Sequence, residues 1–186
     1  MSDDREARFE KVYRDTYEQI LGYAMRRCDS PEDAADVVAE TFEIAWRRVE
    51  DLPPGEQARL WLYGVARNVL ANHRRGLMRR HTHQTALREN LADLYARTSP
   101  PGEELELRAI GRIFRELSDE DRELLSLVAW EGLDAGEIAL VLGRSRNAVR
   151  IRLHRARKRF SYGLAEAGIE FTPTRRAARV PMWRSS

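Results

Sequence analysis

The sequence predicts an all-α protein: two small helical domains joined by a flexible linker, the C-terminal one a helix-turn-helix. Three observations carry that expectation. Apolar residues recur at helical spacing through most of the chain, and no segment sustains the period-two alternation of a strand. Gly and Pro gather at junctions, as in LPPGE (Leu52 to Glu56) and RTSPPGEE (Arg97 to Glu104), rather than inside the periodic runs. The stretch from Asp134 to Phe160 sets out a cap, a helix, a glycine turn, a second cap and a second helix in that order.

Each element has a local reason. Phe9 to Arg27 is a first amphipathic helix, with Phe9, Val12, Tyr13, Tyr17, Ile20, Leu21 and Ala24 turned inward. Ser30-Pro31 is an N-cap followed by proline at the first helical position, where its missing N–H costs nothing. The helix it opens runs to about Val49 and buries Val37, Val38, Phe42, Ala45, Trp46 and Val49. LPPGE breaks it. A third helix begins near Gln57 and runs through LWLYGVARNVLANHRR towards Arg80. Helices over Glu104–Glu116 and Asp119–Trp130 then lead into the helix-turn-helix. The tail FTPTRRAARVPMWRSS has no period, and residues 166–186 are expected to be a disordered basic tail.

The net charge of +2 hides strong segregation. Residues 1–51 carry fourteen acids against eight bases, and residues 99–143 eleven acids against four. Residues 52–83 hold six bases and one acid, and 144–160 eight bases with no acid. Such banding points to two kinds of surface, one for nucleic acid and one for a basic protein partner. The single cysteine, Cys28, has no intrachain disulfide partner, which fits a reducing cytosol and a small buried side chain. MSDDREARFE lacks the apolar core of a signal peptide, and no run reaches transmembrane length, so a cytoplasmic chain without a membrane segment is expected. His81 and His83 have no Cys or carboxylate at ligand spacing. With no phosphate loop, nucleophile elbow or acid pair either, the expectation is no metal, no cofactor, no catalytic residue and no enzyme.

The helix-turn-helix carries the chemistry. Asp134 and Glu137 make a capping-box start, Ile138, Ala139 and Leu142 an inward face, and Gly143 a helix end able to take positive φ. Ser145 caps the second helix, in which Val149, Leu153, Ala156 and Phe160 form one stripe. The other side presents Asn147, Arg150, Ile151, His154 and Lys158, a face suited to the DNA major groove. Arg152 lies nearer the packed stripe, where an acid of the preceding helices can pair with it.

At this point the chain resembles the extracytoplasmic-function (group 4) sigma factors of bacterial RNA polymerase, in the sigma-70 family. SPEDAADVVAETFEIAWRR is similar to the family's D-A-x-D-x-V-Q-E-x-F-x-x-A-W helix, and RLWLYGVARNVLANHRR to its W-L-x-x-I-A-R-N-x-x-x-D-x-x-R helix. LSDEDRELLSLVAWEGLDAGEIALVLGRSRNAVRIRLHRARKRF follows the family's last pattern almost end to end. The sequence departs from those patterns at Ala39, where Gln is usual, at Asn72, where Asp is common, and at Ile151, where Ser is frequent.

The resemblance implies a promoter-specificity subunit. Residues 9–80 become sigma domain 2, 81–103 the linker and 104–165 sigma domain 4. Domain 2 would bind core polymerase through the β′ clamp, with the acidic stripe Asp36, Glu40 and Glu43, and hold the melted minus-ten element. Arg59, Trp61, Tyr63, Arg67, Asn68, Asn72, Arg74 and Arg75 supply the positive, polar and aromatic groups that a melted strand needs. Asn68 and Asn72, with the Leu52–Gln57 loop, are expected to form a pocket for a flipped base. Trp61 suits either the core or base stacking. Domain 4 would engage the β flap and read the minus-thirty-five duplex. Its readers are Arg146, Asn147, Arg150, Ile151, His154 and Arg155, with Arg144, Ser145, Arg157 and Lys158 on phosphates. An anti-sigma factor is a further possible partner.

Two other readings fit part of the pattern. An autonomous helix-turn-helix regulator accounts for Asp134–Phe160 but leaves the N-terminal matches as coincidence. A module whose basic helix binds an acidic protein or RNA accounts for the charge banding but not for the capped turn.

Overall fold

Helix boundaries follow the capping residues. The computed structural model describes residues 2–80 and 103–169, with side-chain surroundings for 4–75 and 107–169. Within them lie α1 (Ser2–Met25), α2 (Pro31–Arg47), a 3-10 turn (Val49–Asp51), α3 (Glu56–Arg80), α4 (Glu103–Glu116), α5 (Asp119–Ala129), α6 (Ala135–Leu142) and α7 (Arg146–Glu166). No strand occurs among the described residues. The expected linker up to residue 102 and the expected tail from 170 onward lie outside them.

Ser30 has extended backbone angles and its hydroxyl accepts from the Asp33 amide at 3.0 Å, with Pro31 opening α2. Ser118 does the same for α5, accepting from the Asp121 amide at 3.2 Å. At α6 both halves of the capping box form: Asp134 Oδ1 accepts from the Gly136 and Glu137 amides, and the Asp134 amide donates to Glu137 at 2.8 Å. Gly143 ends α6 at φ 60°, the left-handed conformation that frees the Arg144 amide to reach back to the Ala139 carbonyl at 2.9 Å.

α1, α2 and α3 pack pairwise around Ile20, Tyr23, Ala24, Val37, Ala45, Leu62 and Ala66, all buried. α4, α5 and α6 pack on α7, around Leu124, Leu127, Ile138, Val149 and Leu153. These two units are not separate in space. α3 lies on α6, and one continuous apolar core runs from Ile20 through Tyr63 and Leu127 to Leu153. Gly64 faces the Val141 carbonyl there, with room for a Cβ only at 3.4 Å.

Two aromatic residues expected to face inward reach the surface instead. Tyr13 is 39% and Trp46 40% exposed. Both belong to the seam between α1 and α2, where Phe9 meets the Trp46 ring edge-on at 5.2 Å and Tyr13 meets Phe42 at 4.7 Å. The seam is only two helices deep at this end, so each ring packs along one side and meets water on the other. Arg5 lies over Trp46 at 5.0 Å and donates to its carbonyl. Cys28 is half-buried and packs against the core, and burial first, then nearby Asp33, pushes its thiol up to about 11.

Candidate nucleic-acid interface

The interface begins with how α7 is held. Val149, Leu153, Ala156 and Leu164 are buried, and Phe160 packs edge-on against Phe114 of α4 at 5.9 Å. Gly163 lies so close to α4 that an added Cβ would come within 2.6 Å of Ile113 Cγ2. Arg159 grips α5 with both arms of its fork, donating to Asp121 at 2.6 and 2.7 Å. Arg152 pairs with Glu120 of α5, an acid of the preceding helices, as its place near the stripe suggested.

With those side chains turned inward, the other side of α7 is left to solvent. Arg144, Ser145, Arg146, Asn147, Arg150, Ile151, His154, Arg155 and Lys158 are all exposed. Ser145 also caps the helix, its hydroxyl accepting from the Ala148 amide at 3.2 Å. Ile151 is 45% exposed, an apolar side chain among cations that no buried neighbour accounts for. The face therefore offers guanidinium forks, one amide, one imidazole and one branched apolar group with no carboxylate among them. That set matches the donor, acceptor and methyl pattern of a major-groove edge.

Asp121 links this helix to pH. The Arg159 guanidinium, and then Ser118, hold its carboxyl below the ordinary carboxylate range against the opposing effect of burial. The folded form thus binds a proton less readily than the unfolded chain. Its stabilisation is fully present above the unfolded value of about 3.9 and fades as pH falls through the lower folded value. Stability followed by circular dichroism from neutral to acid pH is expected to drop below about pH 4. Asp121→Asn is expected to be less stable at neutral pH but to show a shallower acid limb. An unchanged acid limb in that variant rules out Asp121 as a contributor.

α3 carries the second set. Asn68, Asn72, Arg74 and Arg75 are exposed, and Arg75 Nη2 donates to Asn72 Oδ1 at 2.9 Å. Arg74 reaches the Arg27 carbonyl at 3.1 Å. Trp61 is partly buried against the core, with the Arg48 guanidinium 5.6 Å from its ring centre. Arg59, only 17% exposed in its side chain, lies between Glu56 and Glu137, and Arg67 Nε donates to Glu123 at 2.9 Å. Both arginines thus face acids of α5 and α6, a contact the sequence reading did not include. The third set, Asp36, Glu40 and Glu43, forms an exposed stripe on α2 around a shallow open hollow that Ala39, Ile44 and Arg47 complete. Arg47 pairs with Glu43.

Tyr23 and Tyr63 are buried with their ring centres 5.2 Å apart and their planes tilted by 47°, and Arg27 stacks 3.7 Å from the Tyr23 ring centre. Burial pushes the Tyr23 hydroxyl up to about 12 and raises that of Tyr63 further. Both stay neutral and act as packing. Among the described residues no group of three or more His, Cys, Asp or Glu is placed to hold a metal ion, and no helix is long and apolar enough to cross a membrane.

Comparison with known proteins agrees with this layout. Residues 12–80 match the family model for Sigma-70 region 2, and residues 107–160 that for Sigma-70, region 4. The RNA polymerase sigma factor CnrH of Cupriavidus metallidurans is 34% identical over 152 residues, covering 76% of this chain and 78% of its own. The ECF RNA polymerase sigma factor SigL of Mycobacterium tuberculosis is 30% identical over 173 residues, covering 88% and 93%. Among solved structures, CnrH in complex with the cytosolic domain of CnrY superposes with a TM-score of 0.58 at 26% identity, over 86% of this chain and 88% of that one. The sigma factor RpoE in complex with the anti-sigma factor NepR, from Bartonella quintana, shares the fold with a TM-score of 0.61 at 20% identity, over 84% and 96%. With regions 2 and 4 both matched, in order, on the two helical units, the chain belongs to the ECF sigma factors of RNA polymerase in the sigma-70 family.

Proposed function

We propose that this sigma factor reads the minus-thirty-five duplex with α7 and holds the melted minus-ten strand with α3, while α2 docks on core polymerase. The observation that carries this is the outer face of α7: cationic and amide side chains around one exposed isoleucine, held rigidly by a buried stripe. Arg150 forks onto guanine O6 and N7, Ile151 lies against a thymine methyl, and Arg144, Ser145 and Lys158 take phosphates. Arg146, Asn147, His154 and Arg155 flank them. On α3, Asn68 and Asn72 meet an extruded base, and Arg59, Arg67, Arg74 and Arg75 follow the backbone of the strand.

The stripe of Asp36, Glu40 and Glu43 orients the chain on the β′ clamp, and the C-terminal unit (104–165) meets the β flap. The activity needs no catalytic centre in this chain, only binding, and it takes place on DNA in the cytoplasm. An anti-sigma partner fits the same scheme: the structural relative CnrH is seen in complex with the cytosolic domain of CnrY, and RpoE in complex with the anti-sigma factor NepR.

Transcription in vitro with purified core polymerase, this chain and a library of the host's promoter fragments tests the scheme. Start sites that depend on the chain and share two upstream elements are expected. Glu40→Lys, a charge reversal on an exposed side chain, is expected to weaken core binding about tenfold while leaving helix content unchanged. Operator binding by the chain alone, with neither core binding nor initiation, would mean an autonomous regulator instead.

A further inference from the structure

Between α2 and α3 the chain offers few backbone donors of its own. Val49 and Leu52 are buried and anchor the start of the loop, whereas residues 54–57 are exposed. The Leu52 amide is taken by the Val49 carbonyl at 3.3 Å, and Pro53 and Pro54 carry no N–H at all. Across the loop, the Ala58 amide donates to the Gly55 carbonyl at 3.1 Å and closes the first turn of α3. With φ locked at both prolines, rotation about ψ of Leu52, 121° here, sets the direction in which the loop leaves the core. That rotation carries the Leu52 carbonyl oxygen with it. The oxygen is held from 44 residues away: Arg8 Nη2, on the second turn of α1, donates to it. One turn earlier, Arg5 donates to the Trp46 carbonyl at 3.0 Å and ties the same end of α1 to the end of α2. At the apex of the loop Gly55 has φ 60°, and a Cβ there would meet nothing within 4 Å, so the backbone is open to close approach.

We propose that Arg8 is a positioning residue for the minus-ten element: by fixing the Leu52 carbonyl it sets where the Leu52–Gln57 loop meets the extruded base. The inference rests on the assignment of that loop, with Asn68 and Asn72, to the base. Leverage is what makes one bond matter. The apex lies three residues beyond Leu52, about 10 Å of chain, so a turn of about 20° in ψ carries it up to about 3 Å. A recognition site must be held to about 0.5 Å. Arg8 is exposed and bonds through a single N–H, a contact too slight to hold three helices together yet enough to fix one dihedral. It also lies ahead of residues 12–80, so the contact joins a segment outside the matched domain to a loop within it.

The test uses the full chain with core polymerase, on a promoter and its single-base minus-ten variants. Initiation across the series reads the base preference at the extruded position. Arg8→Ala is expected to lower that preference about tenfold, with core affinity, minus-thirty-five duplex binding and the thermal midpoint unchanged. Arg8→Lys keeps one charged donor and is expected to restore most of the preference. Pro54→Ala loosens the loop while keeping the Arg8 bond, so it should lower the preference too. The double variant should then lose little more than either single one, because both act on the same loop. A lower midpoint with every promoter weakened alike would make Arg8 a stabiliser of the fold and overturns the proposal. An unchanged preference in Arg8→Ala, while Pro54→Ala and Asn68→Ala lose it, overturns it as well. If Pro54→Ala and Asn68→Ala also keep the preference, the assignment of loop and α3 to the base is what falls.

Discussion

Arg150→Ala is expected to weaken binding of the minus-thirty-five duplex by about 1–3 kcal/mol, a factor of about 5 to 150, and to abolish preference at a single base pair. The side chain is exposed on α7 and forms no part of the buried stripe, so the substitution leaves the fold intact. A fork onto guanine O6 and N7 makes two parallel hydrogen bonds that other bases do not reproduce, and this is why the loss falls on one position. Fluorescence anisotropy against a matched duplex and its single-pair variants measures it. Lys158→Ala is the natural contrast. A phosphate contact carries no sequence information, so its loss should weaken every duplex alike and reduce the salt dependence by about one counterion. If Arg150→Ala instead weakens all duplexes equally, Arg150 is a phosphate contact and the base reading belongs to its neighbours.

Ile138→Ala is expected to cost about 2–5 kcal/mol of folding stability. Ile138 is fully buried on α6, the short helix that touches both α3 and α7. Truncation removes three carbons from a packed site and leaves a void that an eight-residue helix capped at both ends cannot move to fill. Against a total stability of about 5–15 kcal/mol for a small protein, that is a large fraction. Urea unfolding followed by circular dichroism should show a lower midpoint at an unchanged slope. A midpoint shift equivalent to less than about 1 kcal/mol would mean that α6 is loosely packed and that its caps hold it in place.

The elements of the fold were legible because their signals are local. Ser30-Pro31, Asp134 with Glu137, Gly143 and Ser145 each act within a few residues, and each forms the cap or turn its position implied. The outer face of α7 was legible for the same reason: helical spacing sorts its residues into those that pack and those that do not. Tyr13 and Trp46 were misplaced because a helical wheel assigns a direction but not the depth of what lies there.

The docking of the two units lay beyond local patterns. Its traces were the opposite charges of residues 52–83 and 99–143, which suggested external partners. In the folded chain, acids from the second band meet Arg27, just past the end of α1, and Arg67 of α3. A charge band has no address of its own, and only a three-dimensional arrangement decides which opposite band it meets. Glu131 gave no sign of itself, since one acid between Trp130 and Gly132 looks like any turn residue until Arg26 and Arg27 close on it.

α7 is built as a handle and a tip. Its last third is clamped by the glycine at position 163 against Ile113, by Phe160 on Phe114 and by the two-armed grip of Arg159 on Asp121. Its first half, which carries Asn147, Arg150, Ile151 and His154 outward, is held by buried Val149 and Leu153 and by the pair of Arg152 with Glu120. Aim and message are thus separable along one helix about 32 Å long. If the tip reads promoter bases as proposed, exchanging its residues changes the preference with the handle untouched, whereas a methyl added at position 163 meets Ile113 at 2.6 Å and forces the clamp itself to shift.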